Sequence, residues 1–169
     1  MNAFPIRRAT VDDASGITNV KYRSWQDTYR GIISDSYLDA MSIDQLKTTW
    51  QQILSPQNTA TVTDLMTNNE GEIIGYICYG KNDDPAFKAT SEVYALYLLK
   101  SYHGKGLGAT LFLKALSQQK SFVVRVLVKN PALSFYRKFK PDQECLTKVE
   151  IDGIKYDEMV LVWNQLRPR

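Results

Sequence analysis

Apolar residues recur at helical spacing in four stretches of the chain and run together or alternate in seven others. Ala14, Ile17, Val20, Tyr22, Trp25 and Tyr29 mark a first helix that Thr10 or Asp12 can cap and Gly31 ends. Tyr37, Leu38, Met41, Leu46, Trp50 and Ile53 mark a second helical stretch, opened at Ser34 or Asp35, broken near Ser42 and stopped by Pro56. Leu107, Leu111, Phe112, Ala115 and Leu116 carry a third. Asn130-Pro131 opens a fourth, followed by Leu133, Phe135, Tyr136 and Phe139, because asparagine caps well and proline suits the first helical position.

Strand-forming runs fill much of the rest: Phe4–Ala9, Thr59–Leu65, Glu72–Tyr79, Glu92–Leu99, Phe122–Val128, Glu144–Ile151 and Ile154–Val162. Asn68-Asn69-Glu70-Gly71 and Asp152-Gly153 are hairpin turns, since these residues accept positive φ, and Asp83-Asp84-Pro85 marks a loop. Glu92–Leu99 is almost uninterruptedly apolar, which predicts a central strand covered on both faces. With the glycines that follow it and Phe122–Val128 beyond, it forms a β-turn-α-β unit. No repeat, linker or low-complexity segment divides the chain, so one domain over residues 1–169 is expected.

Composition narrows the chemistry. A chain of 169 residues that is 44% hydrophobic can bury roughly 70% of its unfolded surface, so its core requires neither metal nor disulfide. His103 is the one histidine and Cys78 and Cys145 the only cysteines; a His/Cys zinc site cannot be assembled, and a catalytic triad could use only His103. The cysteines lack CxxC spacing, which predicts free thiols and a cytoplasmic address. Residues Met1–Arg8 lack the apolar region of a signal peptide. The longest apolar run, Val93–Leu99, is far short of the ~20 residues of a membrane span. Neither targeting nor a membrane partner is expected.

The formal charge of +3 conceals a segregation. Between Glu92 and Asp142 there is no acid, while Lys100, Lys105, Lys114, Lys120, Arg125, Lys129, Arg137, Lys138 and Lys140 are basic. That segment is cationic in an otherwise acidic chain, which points to a polyanionic ligand; the alternative is ordinary surface charge on solvated faces.

Gly104, Gly106 and Gly108 lie between a strand and a helix, where backbone amides at the positive helix end can cradle phosphate. Gly104–Ala109 formally fits the dinucleotide fingerprint, but no Asp or Glu follows before Asp142 to take a ribose. The Walker pattern fails because no Gly-Lys is followed by Ser or Thr. A tight turn alone does not explain three glycines in five residues beside Lys100 and Lys105.

The stretch Leu96-Tyr97-Leu98-Leu99-Lys100-Ser101-Tyr102-His103-Gly104-Lys105-Gly106-Leu107-Gly108 resembles motif A of the GNAT N-acetyltransferases, in which a strand leads into Arg/Gln-x-x-Gly-x-Gly/Ala. Asn130-Pro131-Ala132-Leu133-Ser134-Phe135-Tyr136-Arg137-Lys138 resembles the Asn…Phe-Tyr segment of motif B. Each motif alone is unspecific; their order and separation match the family, and the resemblance covers nearly the whole chain. It implies an α/β (α+β) GNAT fold: a central mixed, mostly antiparallel sheet of about seven strands with about four helices. Splayed strands, Glu92–Leu99 and Phe122–Val128 here, would hold acetyl-CoA, the polyanion that the charge pattern asks for.

The resemblance implies that the backbone of Leu96, Tyr97 and Leu98 binds the pantetheine arm. It also implies that His103, Gly104, Lys105, Gly106, Leu107, Gly108 and Ala109 hold the pyrophosphate, with Asn130 and Tyr136 as further cofactor contacts. Core packing remains open for Leu96 and Leu98, and plain helix capping for Asn130. Tyr136 is the implied general acid for the leaving thiolate, a phenol of pKa ~10 beside a thiol of ~8.5; its alternative is a buried aromatic on an amphipathic helix. Glu92 resembles the glutamate some members use as base, with a solvated strand-end carboxylate as the alternative, and the Leu98 N–H is the implied oxyanion donor. His103 stands where Arg or Gln is usual, which implies a weaker or pH-dependent contribution. Lys140-Pro141 replaces the frequent Gly-Phe, so proline is expected to stop the last helix without a left-handed glycine.

Trp25, Tyr29 and Tyr37 are the candidate acceptor-binding residues, with core packing open for Trp25 and Tyr29 as an i, i+4 pair. Residues 1–92 hold 8 basic and 12 acidic residues, which favours a cationic amine. The expected function is direct acetyl transfer, through a tetrahedral intermediate, to a primary amine of a small molecule or peptide. Acetyl-CoA is the cosubstrate, no metal is needed, and a homodimer is an expectation because dimers are frequent in the family. Two other classes stay open: a GNAT-like acyl-CoA-binding protein without transferase activity, and a nucleic-acid-binding module using residues 93–141. The second ranks lower, and no nucleic-acid partner is expected, because the aromatics do not interleave with the basic residues in a recognised pattern.

Overall fold

Local hydrogen bonding by short polar side chains sets most of the element boundaries. The computed structural model describes residues 4–164, so the first three residues of the N-terminal stretch lie outside the described residues. β1 is Ile6–Arg8, and a 3-10 turn at Val11–Asp13 leads into α1, Ala14–Tyr29. The Asp13 carboxylate accepts the Thr10 N–H at 2.8 Å and takes both Arg7 guanidinium nitrogens at 2.8 Å. Gly31, at φ 78°, ends α1 as expected.

The second helical stretch is two helices, α2 (Asp35–Asp39) and α3 (Ile43–Ile53), which makes five helices among the described residues rather than about four. Each has its own serine cap: Ser34 Oγ accepts from Tyr37 N–H at 3.4 Å, and Ser42 Oγ from Gln45 N–H at 3.2 Å. β2 runs Thr61–Thr67, starting two residues later than expected. Asn58 explains the delay, because its side chain binds Ile53 O, Thr61 Oγ1 and the Ala60 N–H and holds that segment as a loop. β3, Ile73–Lys81, follows the expected Asn68–Gly71 turn, in which Asn68 Oδ1 accepts from Glu70 and Glu72 N–H.

β4 is Ser91–Leu98, α4 Leu107–Leu116, β5 Phe122–Leu127, α5 Ala132–Arg137, β6 Gln143–Ile151 and β7 Ile154–Trp163. The seven strands form one mixed sheet in the order β1-β2-β3-β4-β5-β7-β6. β4 and β5 are parallel, whereas β1–β2, β5–β7 and β6–β7 are antiparallel. The parallel ladder pairs only Ser91–Val93 with Phe122–Val124, although both strands continue beyond it. Asp152 and Gly153, both at positive φ, make the two-residue β6–β7 turn.

The chain divides into two interleaved units, residues 1–79 with 95–116 and residues 80–94 with 117–169. In the first, Ile17, Val20, Trp50, Leu65, Ile74, Tyr76 and Phe112 are among the buried side chains. In the second, Phe122 stacks on its cross-strand partner Trp163 at 4.9 Å and 12°, and on the opposite face of these strands Val123, Val160 and Val162 form a buried cluster with Phe87, Ala89 and Cys145.

Two expectations are corrected. β4 is not covered on both faces: Tyr94 is 47% exposed and Ala95–Leu98 are half-buried, so its apolar run does not report core packing alone. The end of α5 does use a left-handed residue, because Lys140 sits at φ 52° where glycine would be unstrained.

A Cβ on Gly75 of β3 would lie 2.9 Å from Tyr97 O and 2.7 Å from Leu98 Cδ1. Gly75→Ala is therefore expected to cost about 1–3 kcal/mol, read as a Tm several degrees lower; an unchanged Tm would show that β4 yields freely. Lys140→Gly is expected to raise stability by about 0.5–1 kcal/mol in urea unfolding.

Candidate active site

The glycine-rich turn lies wholly in the first unit. From Leu98 the chain enters a 3-10 turn at Lys100–Tyr102, then passes Gly104 at φ 74° and Gly106 at φ 75°. Both are exposed, and nothing lies within 4 Å of where a Cβ would stand. Gly106 O accepts the Thr110 N–H and hydroxyl at 3.1 Å, so the first amides of α4 stand at the positive end of a ten-residue helix with no acceptor inside it. The Lys105 ammonium stands 5.3 Å over the Tyr102 ring, whose hydroxyl accepts from Asn68 at 3.3 Å. His103 Nε2 lies 2.7 Å from Leu98 O. A carbonyl only accepts, so Nε2 carries the proton, and the imidazole caps the strand end instead of reaching over the turn as a longer Arg or Gln could.

The sequence-predicted acceptor residues do come together. Trp25 lies 4.7 Å from Tyr29 and 6.3 Å from Tyr37 between ring centroids. Tyr29 is buried, as core packing would have it, while Trp25 and Tyr37 are only half-buried. Trp25 Nε1 donates to Tyr97 Oη at 2.9 Å, and the Tyr97 ring meets Tyr76, 5.8 Å away, which in turn packs on Trp50 at 5.0 Å. Sequence reasoning gave Tyr97 a backbone role only and passed over Tyr76 and Lys21. Alternation along β4 puts the Tyr97 side chain on the face opposite Leu96 and Leu98, and Lys21 is four residues before Trp25, so both signals were present.

Glu92, Asn130 and Tyr136 belong to the second unit. Glu92 is not a solvated strand end: its side chain is 16% exposed and bonds Arg125 Nε at 3.1 Å. Arg125 also binds Asp84 at 2.7 Å and approaches Glu158 at 3.8 Å, with its guanidinium over Phe87. Burial pushes the Glu92 carboxyl up despite Arg125, and Asp84 and Glu158 push the same way. Asp84 itself is held down by the Ala86 N–H and by Arg125. The 33-residue separation of Glu92 and Arg125 hid this pairing from the sequence.

Asn130 Oδ1 accepts the Ala132 N–H at 2.9 Å, so it caps α5, and Tyr136 is buried with its ring edge-on to Phe135 at 5.2 Å. The basic segment is shared: Lys100, Lys105 and Lys114 lie in the first unit and the other six cations in the second, where Arg125 and Arg137 are ion-paired. Among the described residues no group of three His, Cys, Asp or Glu is arranged to hold a metal ion, and no helix is long and apolar enough to cross a membrane.

Comparison with known proteins places residues 22–140 in register with the acetyltransferase (GNAT) family. The chain is 26% identical over 166 residues to the uncharacterized N-acetyltransferase YuaI of Bacillus subtilis, covering 95% of this chain and 93% of that protein. It is 26% identical over 115 residues to the spermidine N(1)-acetyltransferase of Thermoplasma acidophilum, covering 67% and 68%. Its fold matches the PaiA N-acetyltransferase of Thermoplasma acidophilum in complex with coenzyme A, with a TM-score of 0.66, 23% identity and 93% and 98% of the two chains covered. A GCN5-related N-acetyltransferase structure from Rhodopseudomonas palustris gives 0.72, with 18% identity and 96% of each chain.

Replacing Arg125 by Met leaves three carboxylates without their shared cation. The Glu92 carboxyl, already pushed up by burial, rises further without Arg125, the folded state then binds more protons than the unfolded one, and stability falls as pH rises. The expected deficit is about 1–3 kcal/mol at pH 7.5 and smaller at pH 5; thermal melts at both values check the sign.

Proposed function

Because the chain belongs to the acetyltransferase (GNAT) family, we propose that it moves the acetyl group of acetyl-CoA directly onto a primary amine of a small molecule or peptide. The protein is an acyltransferase of the N-acetyltransferase kind. One observation carries the cofactor assignment: the exposed turn with Gly104 and Gly106 in the left-handed region at the start of α4. It meets what a diphosphate demands, since it presents backbone N–H groups, no side chain and a neighbouring lysine. Acetyl-CoA supplies the activated acyl thioester.

The roles of the chain's own residues follow from the resemblance and are supported by their surroundings. Gly104–Ala109 hold the pyrophosphate with their amides, and the half-buried backbone of Leu96–Leu98 lies along the pantetheine arm, with the Leu98 N–H as oxyanion donor. His103 caps the Leu98 carbonyl and so steadies the strand end. Tyr136 gives its phenolic proton to the leaving thiolate. Glu92, whose pKa is raised by burial, takes a proton from the acceptor ammonium through water. The named spermidine acetyltransferase supports a small amine as acceptor. The family match crosses both units, which supports one acetyltransferase domain, and free Cys78 and Cys145 suit a reducing compartment such as the cytoplasm.

Titration calorimetry with acetyl-CoA at moderate salt tests the binding half, and release of free thiol across an amine panel tests transfer. Binding without transfer to any amine would support the non-catalytic reading, and salt-sensitive nucleic-acid binding without acetyl-CoA binding would overturn both. Tyr136→Phe is expected to lower kcat by about 10²-fold with little change in acetyl-CoA affinity; undiminished turnover would remove Tyr136 as the acid.

A further inference from the structure

We propose that Lys21, seated on the Trp25 indole in the first unit, recognises a carboxylate on the acceptor, so that the amine acetylated belongs to an amino acid or short peptide with a free carboxylate. The inference rests on the acetyl-transfer reading of the same aromatic cluster and names its substrate class.

The Lys21 ammonium lies 5.4 Å from the Trp25 ring centroid, and Trp25 is bonded through its indole N–H to Tyr97 of β4, the strand assigned to the pantetheine arm. Lysines taken from water are ordinarily paired. Lys21 has no carboxylate within ion-pair reach among the described residues, and burial pushes its pKa down with only Cys78 acting against that. The ion-paired acids of the same unit are held by arginines. Asp13 pairs with Arg7, Asp64 with Arg8, and Asp35 and Asp39 with Arg30, while Asp12, Asp27, Asp44 and Glu70 stand exposed.

Neutral hydrogen-bonding groups occur beside this cation. The Thr18 and Ser24 hydroxyls, three residues either side of Lys21 on α1, are buried without a hydrogen-bond partner. So is that of Tyr76 on β3, and Tyr76 shares a strand face with Cys78, whose thiol senses the Lys21 charge. An unopposed cation suits a carboxylate, whereas a polyamine would set a second positive charge against Lys21 with nothing to offset it.

The test compares kcat/KM for L-amino acids, glycylglycine and their C-terminal amides, with spermidine as the polycation. The amide is the more easily deprotonated amine, so a preference for the acid cannot come from basicity. The expected result is at least a tenfold preference for acid over amide, lost in Lys21→Met and kept in Lys21→Arg, with both variants folded by circular dichroism. Calorimetry with N-acetyl amino acids and their amides reads the same selectivity without turnover. If amines are acetylated but acid and amide are equivalent, if spermidine is preferred, or if Lys21→Met leaves the ratio unchanged, the inference fails while the acetyltransferase reading stands. Lys21-dependent carboxylate binding with no acetyl transfer would keep Lys21 as a carboxylate site and overturn the acetyltransferase reading.

Discussion

The candidate cofactor site depends on the close approach of β3 and β4 at Gly75. The backbone carbonyl of Tyr97 comes so near that no side chain fits opposite it, and the Leu99 N–H donates to Ile74 O at 2.8 Å immediately beyond. This pairing fixes where β4 stops being a strand, and so where the 3-10 turn, the two left-handed glycines and the start of α4 follow. It also fixes the register of β4, which sends the Tyr97 ring toward Trp25 and Tyr76 while Leu96 and Leu98 take the other face. A one-residue slip would exchange those faces and separate the aromatic cluster from the strand that the turn extends.

The two units handle charge differently. In the second, Arg125 is shared among Asp84, Glu92 and Glu158, and the result is a partly buried network in which every carboxylate has a cation nearby. The network holds Glu92 in place without leaving it alone in a medium of low polarity, and burial and Arg125 pull its pKa in opposite directions. In the first unit arginines pair with Asp13, Asp64, Asp35 and Asp39, and the half-buried cation is left with an aromatic ring. Net charge by segment, +9 against an acidic remainder, described neither arrangement, since it counts residues and not partners.

Much of the fold was legible because its signals are local. Asn130, Ser34, Gly31, Asn68–Gly71 and Asp152-Gly153 act through the residues next to them, and each does in the structure what its chemistry predicts. The errors arose where a distant or unexpected partner decided the outcome. Asn58 withheld two residues from β2 by binding back to Ile53, and Lys140 adopted a left-handed conformation that its side chain disfavours. The site divides in the same way. The glycine turn was readable from its spacing; the Glu92–Arg125 pair, the Trp25–Tyr97 bond and the isolation of Lys21 were not, because all three depend on which strands and helices meet.

That isolation sets the aromatic cluster apart from the rest of the molecule. A buried hydroxyl without a partner forfeits about 1–3 kcal/mol, and a marginally stable protein has little to spare. Tyr76, fully buried, could be Phe with nearly the same shape and no hydrogen bond lost, so folding alone does not account for its hydroxyl. Polar atoms held inside a core at a cost to stability are usual where a ligand must be recognised, and here they occur in the same unit as the strand and turn assigned to acetyl-CoA. On the proposed reading, the cost in stability and the recognition of an acceptor are two consequences of one set of side chains.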